Sequence, residues 1–469
     1  MELLELIKND IQKVLGYIDQ HQMKRSDAYT WEYLNREYNK NERNLRDTQV
    51  AKILKGKTIG TGEKSRFVRD INLSIPFSKK IVNTAVAFEL GEPVTLIADD
   101  KNELFDAVKT TWKLNRLDHK LQDALRFKKS ELESCIIFHI ESIDEGKTWV
   151  TKMLTKQKKV IKSSVKTNKD GRMYPIFNAH GNMEAFVWRF TSKTNENSEV
   201  DNIWIYTDTT KIEINNSLNR TYSVVSEKPH GFDRIPVVYL QQDHPEWEDV
   251  KTLIDRYEVA LSKLGNSNDY TGQPLLKLYG ELVNMPDRND DGKTLRFPIK
   301  EIDGTGKTVQ GDAEFLTANN AAESVELELD KLYTLINSMS STPNIDFDNL
   351  KGLGAISGIA LRLMFLDAII KAKMNEGNNR TTIERCLNII ASGIKQTINT
   401  KLDKQDLLVS VQFNSILPSD LKEAVEIATA AVNGKVWSQE TAVDYLDMVE
   451  DKEKELEKIK SEVDIIEKK

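Results

Sequence analysis

Cysteine is scarce in this sequence of 469 residues, and its scarcity excludes several classes of protein. The two cysteines, Cys135 and Cys386, are far apart in the chain and are flanked by apolar residues. Two isolated thiols cannot build a disulfide framework or a cysteine-based zinc site. We therefore expect each to be a buried free thiol in a protein of a reducing compartment.

Basic residues do not outnumber acidic ones in this sequence. The chain carries 66 Lys and Arg against 73 Asp and Glu, for a formal net charge of −7. Proteins that coat nucleic acid with their whole surface are basic, because Lys and Arg neutralise the phosphates, so only local basic patches remain possible. The acidic, amphipathic start MELLELIKND does not read as a secretory signal, and no apolar run approaches the roughly 20 residues that span a bilayer.

The chain also lacks a recognisable catalytic or metal-binding set. Its six histidines share no metal-ligand spacing, and no Gly-x-Ser-x-Gly motif occurs. The segment DGTGKT at 303–308 resembles a phosphate-binding loop, but Glu301 stands where that motif needs its first glycine. The sequence predicts a turn between two strands here, and we expect no enzymatic activity, cofactor or metal.

The first half of the chain combines helical and strand-like patterns. A charged segment to about residue 47 has few apolar anchors and predicts a helical surface arm. Pro76 begins a run of apolar residues at helical spacing that Gly91 and Pro93 end. From about 134 to 240 the segments SCIIFHIE, AFVWRFT, DNIWIYTD and IPVVYL are short and rich in β-branched and aromatic residues. Together these patterns indicate an α+β domain.

In the second half, two helical segments flank an irregular one. Residues 247–264 and 321–341 have helical apolar spacing, whereas 265–320 contains only short strands. The apolar positions of the second helix are Val325, Leu329, Leu332, Ile336 and Met339. Two such helices can form an antiparallel hairpin that carries the small module at its tip.

A loop at 342–356, rich in Pro, Gly, Asn and Asp, follows the second helix. The pattern then predicts a long helix from about Ser357 towards Thr400, with a bend at NEGNN, and afterwards a strand in DLLVSVQF. Charged helices fill the carboxyl-terminal part. Loops of this length are uncommon without a function.

Several of these stretches resemble the portal proteins of tailed double-stranded DNA bacteriophages, in the branch common in long-tailed phages of Gram-positive bacteria. NLSIPFSKKIVNTAVAFELGEPVTL resembles the amino-terminal motif of that family, and SGIALRLMF resembles the start of its long helix. HGFDRIPVVYLQQDHPEWEDVKTLIDRYEVALSKLGN resembles the approach to its stem. The order and spacing of these motifs over about 70–400 carry the resemblance.

The resemblance implies an α+β, portal-type fold and a ring, usually a dodecamer, at one vertex of the capsid. The parts it implies are an N-terminal arm and α+β wing at 1–246, stem helices at 247–264 and 321–341, a mixed clip at 265–320, a tunnel loop at 342–356, a long wing helix and strand at 357–417, and a helical crown at 418–469.

The implied function is a channel for double-stranded DNA during genome packaging and ejection. The implied partners are terminase, head-completion or adaptor proteins, and the major capsid and scaffold proteins; the ring would assemble in the host cytoplasm and remain in the virion, without a membrane. The tunnel-loop residues expected to face the DNA are Asn344, Asp346, Asp348, Asn349 and Lys351. The clip residues expected to dock partners are Asp287, Asp290 and Asp291.

Two alternatives remain open from the sequence. Another phage head protein is one, although a scaffold would be largely helical and would fit the β-rich segment 134–240 poorly. A DNA-translocating ATPase is the other, but it would need a phosphate loop and acidic metal ligands on parallel strands, which Glu301 in place of glycine argues against.

Overall fold

The computed structural model describes part of the chain, and the structural statements below concern that part. Its residues are 7, 11–21, 29–39, 56–59, 65–68, 70–98, 102–142, 159–193, 199–216, 221–271, 275–279, 299–301, 308–316, 322–344, 362–414, 416, 421–446, 455–456 and 458–459.

Helices are spread over the whole described chain. They are α1 (Ile11–Gln20), α2 (Trp31–Tyr38), α3 (Phe77–Leu90), α4 (Glu103–Asn115), α5 (Leu117–Glu131), α6 (Lys251–Thr271), α7 (Ala322–Met339), α8 (Leu366–Gly393), α9 (Leu421–Asn433) and α10 (Gln439–Leu446).

Strands concentrate between residues 133 and 241, as the sequence predicted. They are β1 (Lys57–Ile59), β2 (Arg66–Val68), β3 (Thr95–Ala98), β4 (Glu133–Ser142), β5 (Lys159–Lys166), β6 (Arg172–Phe177), β7 (Met183–Lys193), β8 (Glu199–Tyr206), β9 (Thr210–Asn215), β10 (Ser223–Pro229), β11 (Val237–Gln241), β12 (Leu275–Tyr279), β13 (Ile299–Glu301), β14 (Thr308–Gln310), β15 (Asp312–Leu316) and β16 (Val409–Gln412). The described chain therefore has the expected α+β character.

Two antiparallel sheets form the β-rich region. The larger has the strand order β10-β9-β8-β7-β6, and the smaller has the order β11-β4-β5. One face of the smaller sheet contributes Cys135 and Ile137 to a core shared with Phe186 and Trp188 of the larger sheet. Its other face contributes residues such as Phe138 to the main core. The smaller sheet thus lies between the larger sheet and the helices.

The amino-terminal segment is not the surface arm that its charge suggested. In α1, Val14 and Ile18 are each 1% exposed and pack on the free face of the larger sheet. In α2, Leu34 is fully buried in the main core. The prediction was wrong because a few apolar residues on one side of a charged helix are enough to pack it against an apolar sheet face or core.

Helix α3 has the predicted position. Pro76 precedes its first residue and Gly91 follows its last, where the backbone N–H of Gly91 donates to the carbonyl of Ala87 at 2.9 Å. Ile81 and Val82 are buried where α3 enters the main core. Helix α3 therefore lies against α5 and α8 at the centre of the molecule.

Helix α8 continues through the predicted bend at residues 375–379. The side-chain amides of Asn375 and Asn379 donate to the two carboxylate oxygens of Glu89, at 2.8 Å and 2.9 Å. Because these asparagines bind across to α3, they do not compete for the backbone of their own helix. The predicted start of this helix before residue 362 lies outside the described residues.

Short strand pairs make up the described part of the segment between α6 and α7. Strand β12 pairs with β15, and β13 pairs with β14, both antiparallel. The last pair flanks residues 302–307, which confirms that the DGTGKT segment joins two paired strands. Within the described part of the chain, no helix has both the length and the apolarity needed to cross a membrane.

Candidate functional site

Helices α6 and α7 pack against each other as an antiparallel pair. The guanidinium Nε of Arg256 donates to Glu328 at 2.7 Å, and the rings of Tyr257 and Tyr333 lie 6.4 Å apart. Helix α6 also runs on to Thr271, beyond residue 264, where the sequence predicted its end. The strand that follows α6 pairs with the strand that precedes α7, so the small module lies at the far end of the helix pair.

The end of α7 forms a structured base for the predicted loop; we call residues 340–344 the loop base. The N–H of Thr342 donates to the carbonyl of Asn337 at 2.9 Å, and the N–H of Ser341 donates to that of Ser338 at 3.1 Å. Ser341 has a φ of 56°, the left-handed conformation that this type of helix ending requires and that usually takes glycine. The chain direction at the start of the loop is therefore defined by the helix end.

A lysine of α8 ties the loop base to the core. The Lys371 ammonium donates to the carbonyl of Ser340 at 3.0 Å and pairs with the Glu246 carboxylate at 2.7 Å. The buried Lys129 pairs with the other oxygen of Glu246 at 3.0 Å and with Glu89 at 2.8 Å. We call Glu89, Lys129, Glu246 and Lys371 the ion cluster. It joins α3, α5, α8 and the segment before α6.

Charge is balanced within the ion cluster, which explains why it can be buried. Desolvation favours the neutral form of Glu246, but the attraction of Lys129 and Lys371 outweighs it and lowers the pKa of the carboxyl. Desolvation likewise opposes the charge of Lys129, but Glu89 and Glu246 outweigh it and raise the pKa of the ammonium. Glu246 and Lys129 thus remain ionised at neutral pH, and each depends on its charged partners.

Large apolar side chains remain exposed on both sides of the loop. Leu366, Ile370 and Met374 lie four residues apart and share one side of α8. The full set, with exposed fractions between 36% and 79%, is Leu327, Leu335 and Met339 of α7 with Leu363, Met364, Leu366, Ile370 and Met374 of α8 and the turn before it. We call this set the exposed apolar residues of α7 and α8. Met339, one of the apolar positions that the sequence showed in this helix, is 61% exposed.

Among the site residues predicted from the sequence, the structure describes one. Asn344 ends the loop base; it is half-buried, and its side-chain oxygen has no hydrogen-bond partner within the described ranges. The other tunnel-loop residues (Asp346, Asp348, Asn349 and Lys351) and the clip residues (Asp287, Asp290 and Asp291) lie outside the described residues. Their roles remain predictions.

Both cysteines are buried, as predicted, and both are free thiols. Burial raises the pKa of Cys135 well above its usual range and raises that of Cys386 to about 12. Neither thiol therefore supplies a reactive thiolate at neutral pH.

Sequence reasoning missed the ion cluster and the exposed apolar residues. The spacing of Leu366, Ile370 and Met374 was readable as one helix face, but a pattern of apolar residues does not distinguish a face buried within the chain from one left open. Lys129 and Glu246 of the ion cluster are 117 residues apart, so no local pattern shows that they meet.

Comparisons with known proteins point to one family. The sequence model of a family described as "Phage portal protein, SPP1 Gp6-like" matches residues 15–469. The portal protein of Bacillus phage SPP1 is 24% identical over 279 residues, which are 55% of this chain and 53% of that protein. The chain thus spans about half the length of this curated relative. A chain from the virion of a native gene transfer agent particle covers 93% of this chain and 98% of its own length, with 10% identity and a TM-score of 0.40, which is too distant to establish a shared fold.

Proposed function

Because this chain belongs to the SPP1 Gp6-like family of phage portal proteins, as its motifs indicated, we propose that it forms a closed ring at one capsid vertex. Double-stranded DNA would pass through the centre of the ring during packaging and ejection, and the ring would have twelve subunits. The observation that carries the proposal is the set of exposed apolar residues of α7 and α8, which the described part of the chain does not cover.

Solvent exposure of this set is unfavourable for a soluble monomer. Contiguous exposed apolar patches usually mark interaction sites, and their burial contributes roughly 25 cal/mol per Å². Met374 and Leu363 are 79% and 64% exposed, so most of their apolar surface is available for a neighbour. A contact between two different faces of identical chains closes into a ring when the rotation between neighbours divides a full turn.

The parts of the chain have separate proposed roles. The helix pair α6 and α7 would form the stem, and the segment 265–320 would form a clip that docks terminase and later the head-completion proteins, with Asp287, Asp290 and Asp291 on the docking surface. Residues 342–356 would form a tunnel loop in contact with DNA. The segment 418–469 would form a crown inside the capsid, near the major capsid and scaffold proteins.

The charge balance supports a channel through which DNA slides. A lumen lined by Lys and Arg would hold the duplex by neutralising phosphates and would oppose its movement. The formal net charge of −7 favours weak adhesion, and Lys351 would be a basic point among acidic loop residues. This argument supports a channel rather than a DNA-binding surface.

The proposed role is structural rather than enzymatic. A phosphate-binding loop joins a strand to the start of a helix, whereas the segment around 303–308 joins the paired strands β13 and β14. A largely helical scaffold protein is also disfavoured, because two sheets occupy the centre of the described chain.

Deletion of residues 346–351 tests the channel role. The loop base and α8 are held by contacts outside this segment, and shortening a loop changes the free energy of folding little, by about 0.6 kcal/mol per halving of length. We expect the shortened protein to assemble and to enter proheads normally but to retain less DNA per particle. A same-length replacement of 346–351 by Gly and Ser separates loop length from loop chemistry. Full-length genomes at equal yield in the deletion variant would contradict the role.

A further inference from the structure

The two sheets of the β-rich region separate on one side and enclose a cleft. They pack closely where Ile137 meets Trp188, but no described strand or helix covers the part of the larger sheet formed by β8, β9 and β10 on this side. The resulting cavity has a volume of about 570 Å³, within the range of ligand sites. We call it the inter-sheet cleft. Its lower wall contains Ser164 and Lys166 of β5, and its upper wall contains residues of β8, β9 and β10.

Positive charge converges on the inter-sheet cleft in a chain that is acidic overall. Lys166 contributes from one wall, and Lys211 and Lys228, which are cross-strand partners, contribute from the other. Glu213 is the acidic residue among the described lining residues, and Lys211 pairs with it at 2.6 Å. Within the described part of the chain, no carboxylate lies at ion-pair distance from Lys166 or Lys228. Two lysines of the cleft thus have no acidic partner and remain available to an anion.

An aromatic surface lies between these lysines. The ring of Trp204 is half-buried and is held edge-to-face by Phe190, with ring centroids 4.9 Å apart. The Lys211 ammonium lies 3.5 Å from the centroid of the Trp204 ring, and Tyr206 is almost fully buried beside it. This arrangement holds the Trp204 ring in place and puts the Lys211 ammonium over its face.

One edge of the cleft suits an extended chain. Strand β10 is an edge strand of the larger sheet, whereas the edge of β5 is partly occupied, because Asn115 and Lys120 donate to its carbonyls at Ile161 and Ser163. The register of β10 shifts between Val224 and Ser226, and the intervening Val225 is 57% exposed. Edge strands accept further strands through their unpaired backbone groups. The cavity volume of about 570 Å³ accommodates a short extended peptide segment but not a DNA duplex, whose major groove alone is about 12 Å wide.

We propose that the inter-sheet cleft binds an extended, acidic peptide segment of a partner protein. Its carboxylates would pair with Lys166 and Lys228, and an apolar side chain between them would pack in the cleft beside Trp204. This binding site goes beyond the proposed DNA channel and does not depend on it, because the residues that carry it belong to the two sheets and not to the helix pair or the loop.

Fluorescence anisotropy with a labelled peptide of sequence EDVEFDVE tests the proposal on the full-length protein in its native assembly. We expect this peptide to bind, and its neutral analogue QNVQFNVQ to bind at least about tenfold more weakly, with an affinity that falls as salt screens the lysines. The double variant Lys166→Glu with Lys228→Glu should lose at least about tenfold in affinity. The double variant Lys169→Glu with Lys404→Glu changes the same charge at two exposed turn lysines outside the cleft and should bind as the unchanged protein does.

Each other outcome overturns the proposal. Absence of binding at millimolar peptide, or an equal loss in the control variant, would show that the cleft is not the site. Tighter binding of a ten-nucleotide thymidine strand, lost in the Lys166 and Lys228 variant, would make it a site for single-stranded nucleic acid instead. If the glutamate variant has an altered circular dichroism spectrum, the pair Lys166→Gln with Lys228→Gln replaces it, with the same expected direction.

Discussion

At the scale of single residues, the ion cluster beneath the loop base is the main determinant of local geometry. Lys129 is only 3% exposed and pairs with the carboxylates of both Glu89 and Glu246. Lys371 also pairs with Glu246 and donates to the carbonyl of Ser340. Breaking one member of a buried pair costs more than the pair contributes, because the other charge remains without compensation. The position of the loop base therefore depends on charges in α3, α5 and α8.

Replacement Lys129→Met tests this dependence. The change leaves Glu89 and Glu246 buried with less positive charge, and we expect the free energy of unfolding to fall by about 3 kcal/mol. Chemical denaturation followed by circular dichroism measures the effect, with Lys113→Met, an exposed lysine of α4, as the matched control. Equal unfolding midpoints for the two variants would contradict the account of the cluster.

The residue scale is also where the sequence was least informative. It predicted the burial of Cys135 and Cys386 correctly, because an apolar flank is a local property. It could not pair Asn379 with Glu89, which are 290 residues apart. Contacts of that separation depend on the tertiary fold and leave no local pattern.

At the scale of elements, α6 holds an extended segment through a ladder of polar side chains. Residues four apart on a helix rise about 6 Å, and residues two apart on an extended chain advance about 6.6–6.8 Å, so the two periods nearly match. Three backbone N–H groups of the extended segment donate to side chains of α6. The N–H of Ile71 donates to Asn266 at 2.6 Å, and the N–H of Leu73 donates to Ser262 at 2.8 Å. The N–H of Ile75 donates to Glu258 at 2.9 Å. Two of the motifs that resemble the portal family thus contact each other.

Replacement Ser262→Ala removes the middle bond of this ladder. It leaves the N–H of Leu73 without its acceptor, and we expect the loss of about 1–3 kcal/mol together with faster hydrogen exchange at Leu73. Ser338→Ala, at an exposed position of α7, serves as the control. Unchanged exchange at Leu73 would show that the segment is held by other contacts.

Element prediction succeeded where the periodicity was strong and isolated. Helix α3, the strands β4, β7, β8 and β11, and the pair α6 and α7 were readable. The helices α4 and α5 were missed, although Leu104, Val108 and Trp112 follow a helical spacing that could have revealed them. Helix α6 continues past Gly265. The side chain of Asn266 makes two hydrogen bonds with the backbone of Ile71, and these bonds outweigh the local tendency of Gly and Asn to end a helix.

At the scale of the whole molecule, assembly depends on the exposed apolar residues of α7 and α8. The double replacement Ile370→Glu with Met374→Asp places two charges on this surface without entering the core. We expect it to abolish ring formation while the circular dichroism spectrum stays unchanged, because a neighbour would have to bury unpaired charges. Sedimentation velocity measures the assembly state.

Leu114→Asp provides the matched control, since Leu114 is 47% exposed at the end of α4 and is not one of the exposed apolar residues of α7 and α8. It should assemble as the unchanged protein does. Loss of assembly in both variants would mean that ring formation is generally sensitive to surface charge, and loss in neither would remove α8 from the interface.

The family and the α+β character were predictable from the sequence, because the motifs are local and their order is preserved along the chain. The surface left for a neighbour was not, because exposure depends on which faces the folded chain covers itself. Leu327 and Ile336 illustrate this: both are apolar residues of α7, yet one is 60% exposed and the other is fully buried.

The most direct test of the proposed ring is electron microscopy of the purified protein in negative stain, with native mass spectrometry of the same sample. We expect class averages of a closed ring with a central hole and a mass that is an integral multiple of the 53.6 kDa chain. Monomers and dimers alone at micromolar concentration, or open filaments without a central hole, would contradict the ring.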